Sequence, residues 1–178
     1  MLSRICGLCA VGALLSMHAF ASTIPIEFYL THIGTGNTYR YDYTVTNDGS
    51  LGANVPIKLF DIFFDPALYA ENSLAIVTSG PLAAQWSEMI LGSVGTSQPA
   101  FDVYALGAGI PVGATATGFA VQFSWLGQGL PGPQPFSISD PNTFEPIGGG
   151  TTTPEPYAFW GVGLLLLWGA RRVRSKPL

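Results

Sequence analysis

Cysteine is missing from almost the whole chain: of 178 residues only Cys6 and Cys9 carry a thiol, both within the first ten positions. The body of the protein therefore holds no disulfide, no thiol nucleophile and no cysteine-ligated metal. Histidine is nearly as scarce. His18 lies close to the N-terminus and His32 is the one histidine of the body, too few for a zinc centre. No Gly-x-Ser-x-Gly elbow accompanies His32, so a Ser-His-Asp relay has no nucleophile to serve. An exposed histidine after the first strand accounts for it. Positive charge is the third shortage. Between Ser22 and Thr153 ten carboxylates face only Arg40 and Lys58, a formal charge of −8. Such a body repels phosphate backbones, which argues against a nucleic-acid partner.

Glycine (22 residues) and proline (14) are plentiful, and 48% of the chain is hydrophobic, too much for intrinsic disorder. Apolar residues recur with a period of two, the mark of half-buried strands. Ile24, Ile26, Phe28 and Leu30 form one such set; Tyr39, Tyr41, Tyr43 and Val45 form the clearest. Asn47-Asp48-Gly49 follows as a turn, since Asn and Gly tolerate positive φ. Phe60, Ile62 and Phe64 alternate up to the breaker Asp65-Pro66; Phe101, Val103 and Ala105, then Phe119, Val121, Phe123 and Trp125, repeat the pattern. Weaker strands are expected over 74–78, 85–90 and 136–138, and short helical turns over 66–70 and 81–86. Residues 127–135, with Pro131, Pro133 and Pro135, read as an irregular loop or extended edge. About eight short strands joined by Gly- and Pro-rich turns predict an all-β, antiparallel β-sandwich over residues 22–147.

Both ends differ from the body. Arg4, an apolar run over 5–17 and the small-x-small triplet Ala19-Phe20-Ala21 describe a secretory signal peptide, residues 1–21, with Ser22 as the first mature residue. An uncleaved membrane anchor is the alternative. At the other end, Gly148 to Thr153 reads as a flexible Gly/Thr linker. Pro154-Glu155-Pro156 comes next, then an apolar run over 157–170, then Arg171, Arg172, Arg174 and Lys176. Trp160 and Trp168 stand near the ends of that run, where amphipathic rings favour a membrane interface. The basic cluster would stay cytoplasmic and the acidic body outside. Fourteen apolar residues span about 21 Å as a helix, short of the roughly 30 Å hydrocarbon core. A marginal span of this kind suits a transient retention signal better than a permanent anchor. An ordinary tail anchor remains the alternative.

In this order, residues 154–176 resemble the PEP-CTERM sorting signal of Gram-negative bacteria: Pro154, Glu155 and Pro156 match the recognition motif, and the arginines match the basic stop. The tyrosine alternation and turn over 38–49 also look like the ectodomains of that family. The resemblance implies processing by exosortase, an integral-membrane cysteine enzyme thought to cleave near Pro-Glu-Pro. It further implies passage through signal peptidase, the translocon and, transiently, the inner membrane. The destination is then the cell surface or an extracellular matrix rich in polysaccharide, and the role that of a non-enzymatic biofilm-associated protein.

Two other function classes are open to such a body. A carbohydrate- or calcium-binding module would use clustered loop carboxylates, or aromatics such as Trp86, Trp125 and Tyr104; no Asp-x-Asp-x-Asp loop is present. A glycan-active enzyme would need two carboxylates flanking the bond, with Asp61 and Asp65, or Asp42 and Asp48, as the pairs. Asp61 lies on an alternating strand and Asp65 precedes proline, where a turn role suffices. The expected catalytic set is therefore none, with no metal and no required cofactor.

Overall fold

The computed structural model describes residues 25–156. The expected signal peptide with its cleavage residues Ala19, Ala21 and Ser22, the apolar run 157–170 and the basic stop lie outside the described residues. Among the described residues no helix is long and apolar enough to cross a membrane.

Among the described residues ten strands form two five-stranded sheets packed face to face as a β-sandwich. In chain order they are β1 (Ile26–His32), β2 (Thr38–Thr46), β3 (Leu59–Phe63), β4 (Ala75–Ile76), β5 (Trp86–Leu91), β6 (Ala100–Ala105), β7 (Thr115–Ser124), β8 (Pro135–Ser139), β9 (Pro146–Thr151) and β10 (Thr153–Pro154). One α-helix, α1 (Pro81–Gln85), with Pro at its start, and one 3-10 turn, Glu71–Ser73, complete the described elements. The first sheet runs β10-β1-β2-β7-β4 and the second β5-β6-β3-β8-β9. All pairings are antiparallel except β1 with β10, which is parallel.

The alternation of the sequence becomes the core. Ile26, Phe28, Tyr41, Tyr43, Val45, Phe119, Val121 and Phe123 point inward from the first sheet. Phe60, Ile62, Phe101, Val103, Phe136 and Ile138 meet them from the second. Edge-to-face pairs such as Phe60 on Phe119, with ring centroids 5.2 Å apart, lock the two layers. Each such side chain contributes about 1.5–3 kcal/mol on burial, which explains how a body without disulfides holds together. The register of β2 against β7 slips between Tyr43 and Thr44, where Gly118 of β7 takes φ +105° as the extra residue of a bulge.

The sandwich matches the expected fold class, and every expected strand is present within a few residues. Two differences stand out. The Gly148–Thr153 stretch is not a linker. Gly148 to Thr151 belong to β9, paired with β8 (Ser137 opposite Gly149, Phe136 opposite Gly150), and Thr153 already belongs to β10. A Cβ built on Gly149 would lie 2.8 Å from the Phe136 carbonyl oxygen, so glycine serves close strand approach here. The body therefore continues past residue 147. In addition, Trp86 and Trp125 are buried, not surface platforms.

Candidate functional site

The Pro-Glu-Pro segment is the strongest functional candidate of the sequence, and the fold holds two of its three residues. The last strand changes sheets at Thr152. Up to Thr151 the chain pairs with β8; from Thr153 it lies along β1, with Thr153 opposite Glu27 and Pro154 opposite Phe28. Pro154 has no N–H to donate, which an edge strand tolerates. The Glu155 amide donates to the Phe28 carbonyl at 2.9 Å, and the Thr44 hydroxyl donates to Glu155 Oε1 at 3.2 Å. Thr44 is placed for this by β2, whose outward residues Thr44 and Thr46 face Thr117 and Thr115 of β7. Pro156 is exposed and is the last described residue.

The crossing point is pinned from within. Thr152 is only 1% exposed, and its amide donates to the Gln134 carbonyl at 2.8 Å. Its hydroxyl oxygen accepts from the Gln134 amide at 2.8 Å and lies 3.2 Å from Gln134 Oε1. Gln134, itself buried, bonds the phenols of Tyr43 and Tyr69 and the Gly132 carbonyl. Tyr41 donates to the same carbonyl at 2.7 Å. Burial pushes Tyr41 and Tyr43 far above the usual phenol range, so both remain neutral donors. Sequence reasoning read Tyr41 and Tyr43 as core residues and missed this polar belt. Gln134 in a proline-rich stretch carried no periodic signal.

The carboxylates sort differently from either pair expected. Asp65 accepts the Ala67 amide through Oδ1 at 2.9 Å, while its carbonyl takes the amides of Leu68 and Tyr69; it is a turn residue. Asp42 Oδ1 accepts from both Nε and Nη2 of Arg40, and Asp48 accepts the Ser50 amide. Asp61 is brought beside Asp102, directly across β3 and β6, in an outward-facing row that continues to Met89 on β5 and Ser137 on β8. Cross-strand pairing sets the two carboxyls side by side on one face. Burial first, then the Asp102 charge, pushes Asp61 up to about 7. Among the described residues no three histidine, cysteine or carboxylate side chains gather as metal ligands.

The remaining candidates are structural. His32 is exposed at the end of β1, with Nε2 2.6 Å from the Gly36 carbonyl and its ring tilted on Tyr39. Asn47 of the expected turn is fully buried; its amide nitrogen reaches the carbonyls of Val55 and Ile110, each at 2.9 Å. Of the three aromatics considered for sugar stacking, only Tyr104 is exposed, at 39%.

No family model matches this sequence, and no curated protein does either. Solved structures match by shape alone. The major pilin SpaA of Corynebacterium diphtheriae aligns over 72% of this chain at 11% identity, with a TM-score of 0.41. The chain spans 37% of that pilin's length. A chain of the Coh-OlpA-Doc918 cohesin–dockerin complex from Clostridium thermocellum aligns over 75% of this chain and 100% of its own, at 15% identity and a TM-score of 0.35. CaCohA2 from Clostridium acetobutylicum covers 74% of this chain and 91% of its own, at 13% identity and a TM-score of 0.34.

Proposed function

We propose that this chain is an exported, non-enzymatic surface or matrix protein whose C-terminal segment is a sorting signal processed by an exosortase. The observation that carries the reading is the ordered run of Pro154-Glu155-Pro156, fourteen apolar residues and an arginine-rich end, joined to an acidic β-domain behind a signal-peptide pattern. The body supports it from the other side. Of the carboxylates weighed for catalysis, Asp65 and Asp48 serve turns, Asp42 is paired with Arg40 and Asp61 lies opposite Asp102, while the one histidine bonds a loop carbonyl. What the fold offers instead is a stable acidic module with apolar side chains exposed on the outer face of the second sheet, Met89, Leu91 and Tyr104 among them. In this reading the protein crosses the inner membrane, is held there by its apolar segment, and is cut and passed outward into a polysaccharide matrix.

The test is the mass of the exported product from cells that make an exosortase, beside cells that lack it. A product that has lost Arg171 to Lys176 only when the enzyme is present is the expected result. A product that retains them in both, residing permanently in lipid, reduces the protein to a tail-anchored one. Deleting residues 154–178 should release the body from the membrane fraction altogether.

A further inference from the structure

We propose that the folded body retains the chain through Glu155, so that the sorting cut falls on the membrane side of Glu155 and Thr153 to Glu155 remain in the exported protein. The inference rests on the reading that the C-terminal segment is a processed signal, and it fixes where in that segment the body ends. Four contacts carry it. Thr152 is buried and bonded to Gln134 through both backbone and side chain. Thr153 and Pro154 pair with Glu27 and Phe28. The Glu155 amide is bonded to the Phe28 carbonyl, and its carboxylate to the Thr44 hydroxyl.

A peptidase takes its substrate in extended form, so a bond whose two flanking residues are both held by the fold is closed to it. The bonds from Thr152 to Glu155 are closed in this way, because their backbone already pairs with β1 or is buried against Gln134. The first bond past the last described contact joins Glu155 to Pro156, and the next joins Pro156 to Tyr157. When one of these is cut, its acyl carbon passes to the enzyme's thiolate, and the amine of the membrane-side piece leaves with a proton. Water or an acceptor amine then takes the acyl group and restores the thiol. Keeping β10 has a further consequence for the product. Without it β1 becomes a bare edge, whose open N–H and C=O groups would pair with another chain.

The experiment reads the C-terminus of the exported product by intact mass, from cells making an exosortase and the full-length chain. The expected end lies at Glu155 or beyond, with Thr153 to Glu155 present. An end at Pro154 or earlier overturns the inference and leaves the processing reading in place. Amide exchange of the full-length chain in detergent gives a readout independent of processing. The Glu155 amide should be protected, and Thr44→Val, which removes one bond but keeps the β-branched shape, should speed its exchange about three- to tenfold. An unprotected Glu155 amide overturns the inference however the chain is processed. A product with Arg171 to Lys176 still attached, despite a protected Glu155, refutes the processing reading and the inference with it.

Discussion

Asp61→Asn should stabilise the protein at neutral pH and do nothing for it in acid. The side chain sits half-buried on β3, directly opposite Asp102 across the strands, and its carboxyl is pushed from 3.8 up to about 7 by burial and then by the Asp102 charge. In the fold Asp61 thus keeps its proton to higher pH than in the unfolded chain. Between about pH 4 and about pH 7 the native state binds more protons, so stability falls as pH climbs through that window and is fully present below it. Three pKa units correspond to a ceiling of about 4 kcal/mol, and solvent access to the pair reduces this to about 2 kcal/mol. Asn preserves the shape and can hydrogen-bond Asp102 while removing the charge. Urea unfolding of the full chain in detergent at pH 4, 6 and 8 measures the difference. The variant should gain about 2 kcal/mol at pH 8, less at pH 6, and close to nothing at pH 4. A gain of the same size at every pH, or a loss at pH 8, would refute the account. Asp102→Asn should act in the same direction, and the double variant should gain less than the two single gains combined, because either substitution already relieves the repulsion.

Three further substitutions probe the C-terminal strands and their turn. Thr152→Val keeps the volume but leaves the buried Gln134 amide without its side-chain acceptor, and should cost about 1–3 kcal/mol in thermal or urea unfolding. Gly149→Ala places a methyl 2.8 Å from the Phe136 carbonyl oxygen and should destabilise by about 2 kcal/mol, whereas a linker glycine would tolerate it; unfolding midpoints decide. Phe144, between β8 and β9, holds φ +59° while 69% exposed, so Phe144→Gly should raise stability by about 0.5–1 kcal/mol with little packing lost, again read as a midpoint shift.

The interior of the sandwich was legible because burial and period two are one physical fact. Tyr41, Tyr43 and Val45, or Phe119, Val121 and Phe123, point inward simply because every second side chain must, and the sequence supplies an apolar one each time. Pairings across strands were not legible. Nothing local to Asp61 announces that Asp102 lies opposite, since register between strands about forty residues apart is set by the whole sheet. The same holds for Thr44 and Glu155, separated by 111 positions. Gln134 and Thr152 were hidden for another reason. They sit where strands begin or switch sheets, and there polar residues satisfy backbone groups in place of following an alternation.

The Gly148–Thr153 run shows why composition alone misplaces a boundary. Glycine supplies freedom to a chain with no neighbours and close approach to a chain that has one, and the two uses read identically in sequence. The partner decides, and here it is the backbone of β8, at Phe136 and Ser137. Once those glycines belong to a strand, no spacer is left between the body and the Pro-Glu-Pro segment. Glu155 is still bonded to β1, and the apolar run of the sequence opens at Tyr157, leaving Pro156 as the single residue between them. An enzyme that reads Pro-Glu-Pro on this protein would then meet a motif whose first residue lies in the edge strand β10 and whose second is bonded to β1. Under the proposed function its glutamate carries both an address and a strand contact, so Thr44→Val becomes the informative variant. It weakens the strand contact and leaves every residue of the address unchanged.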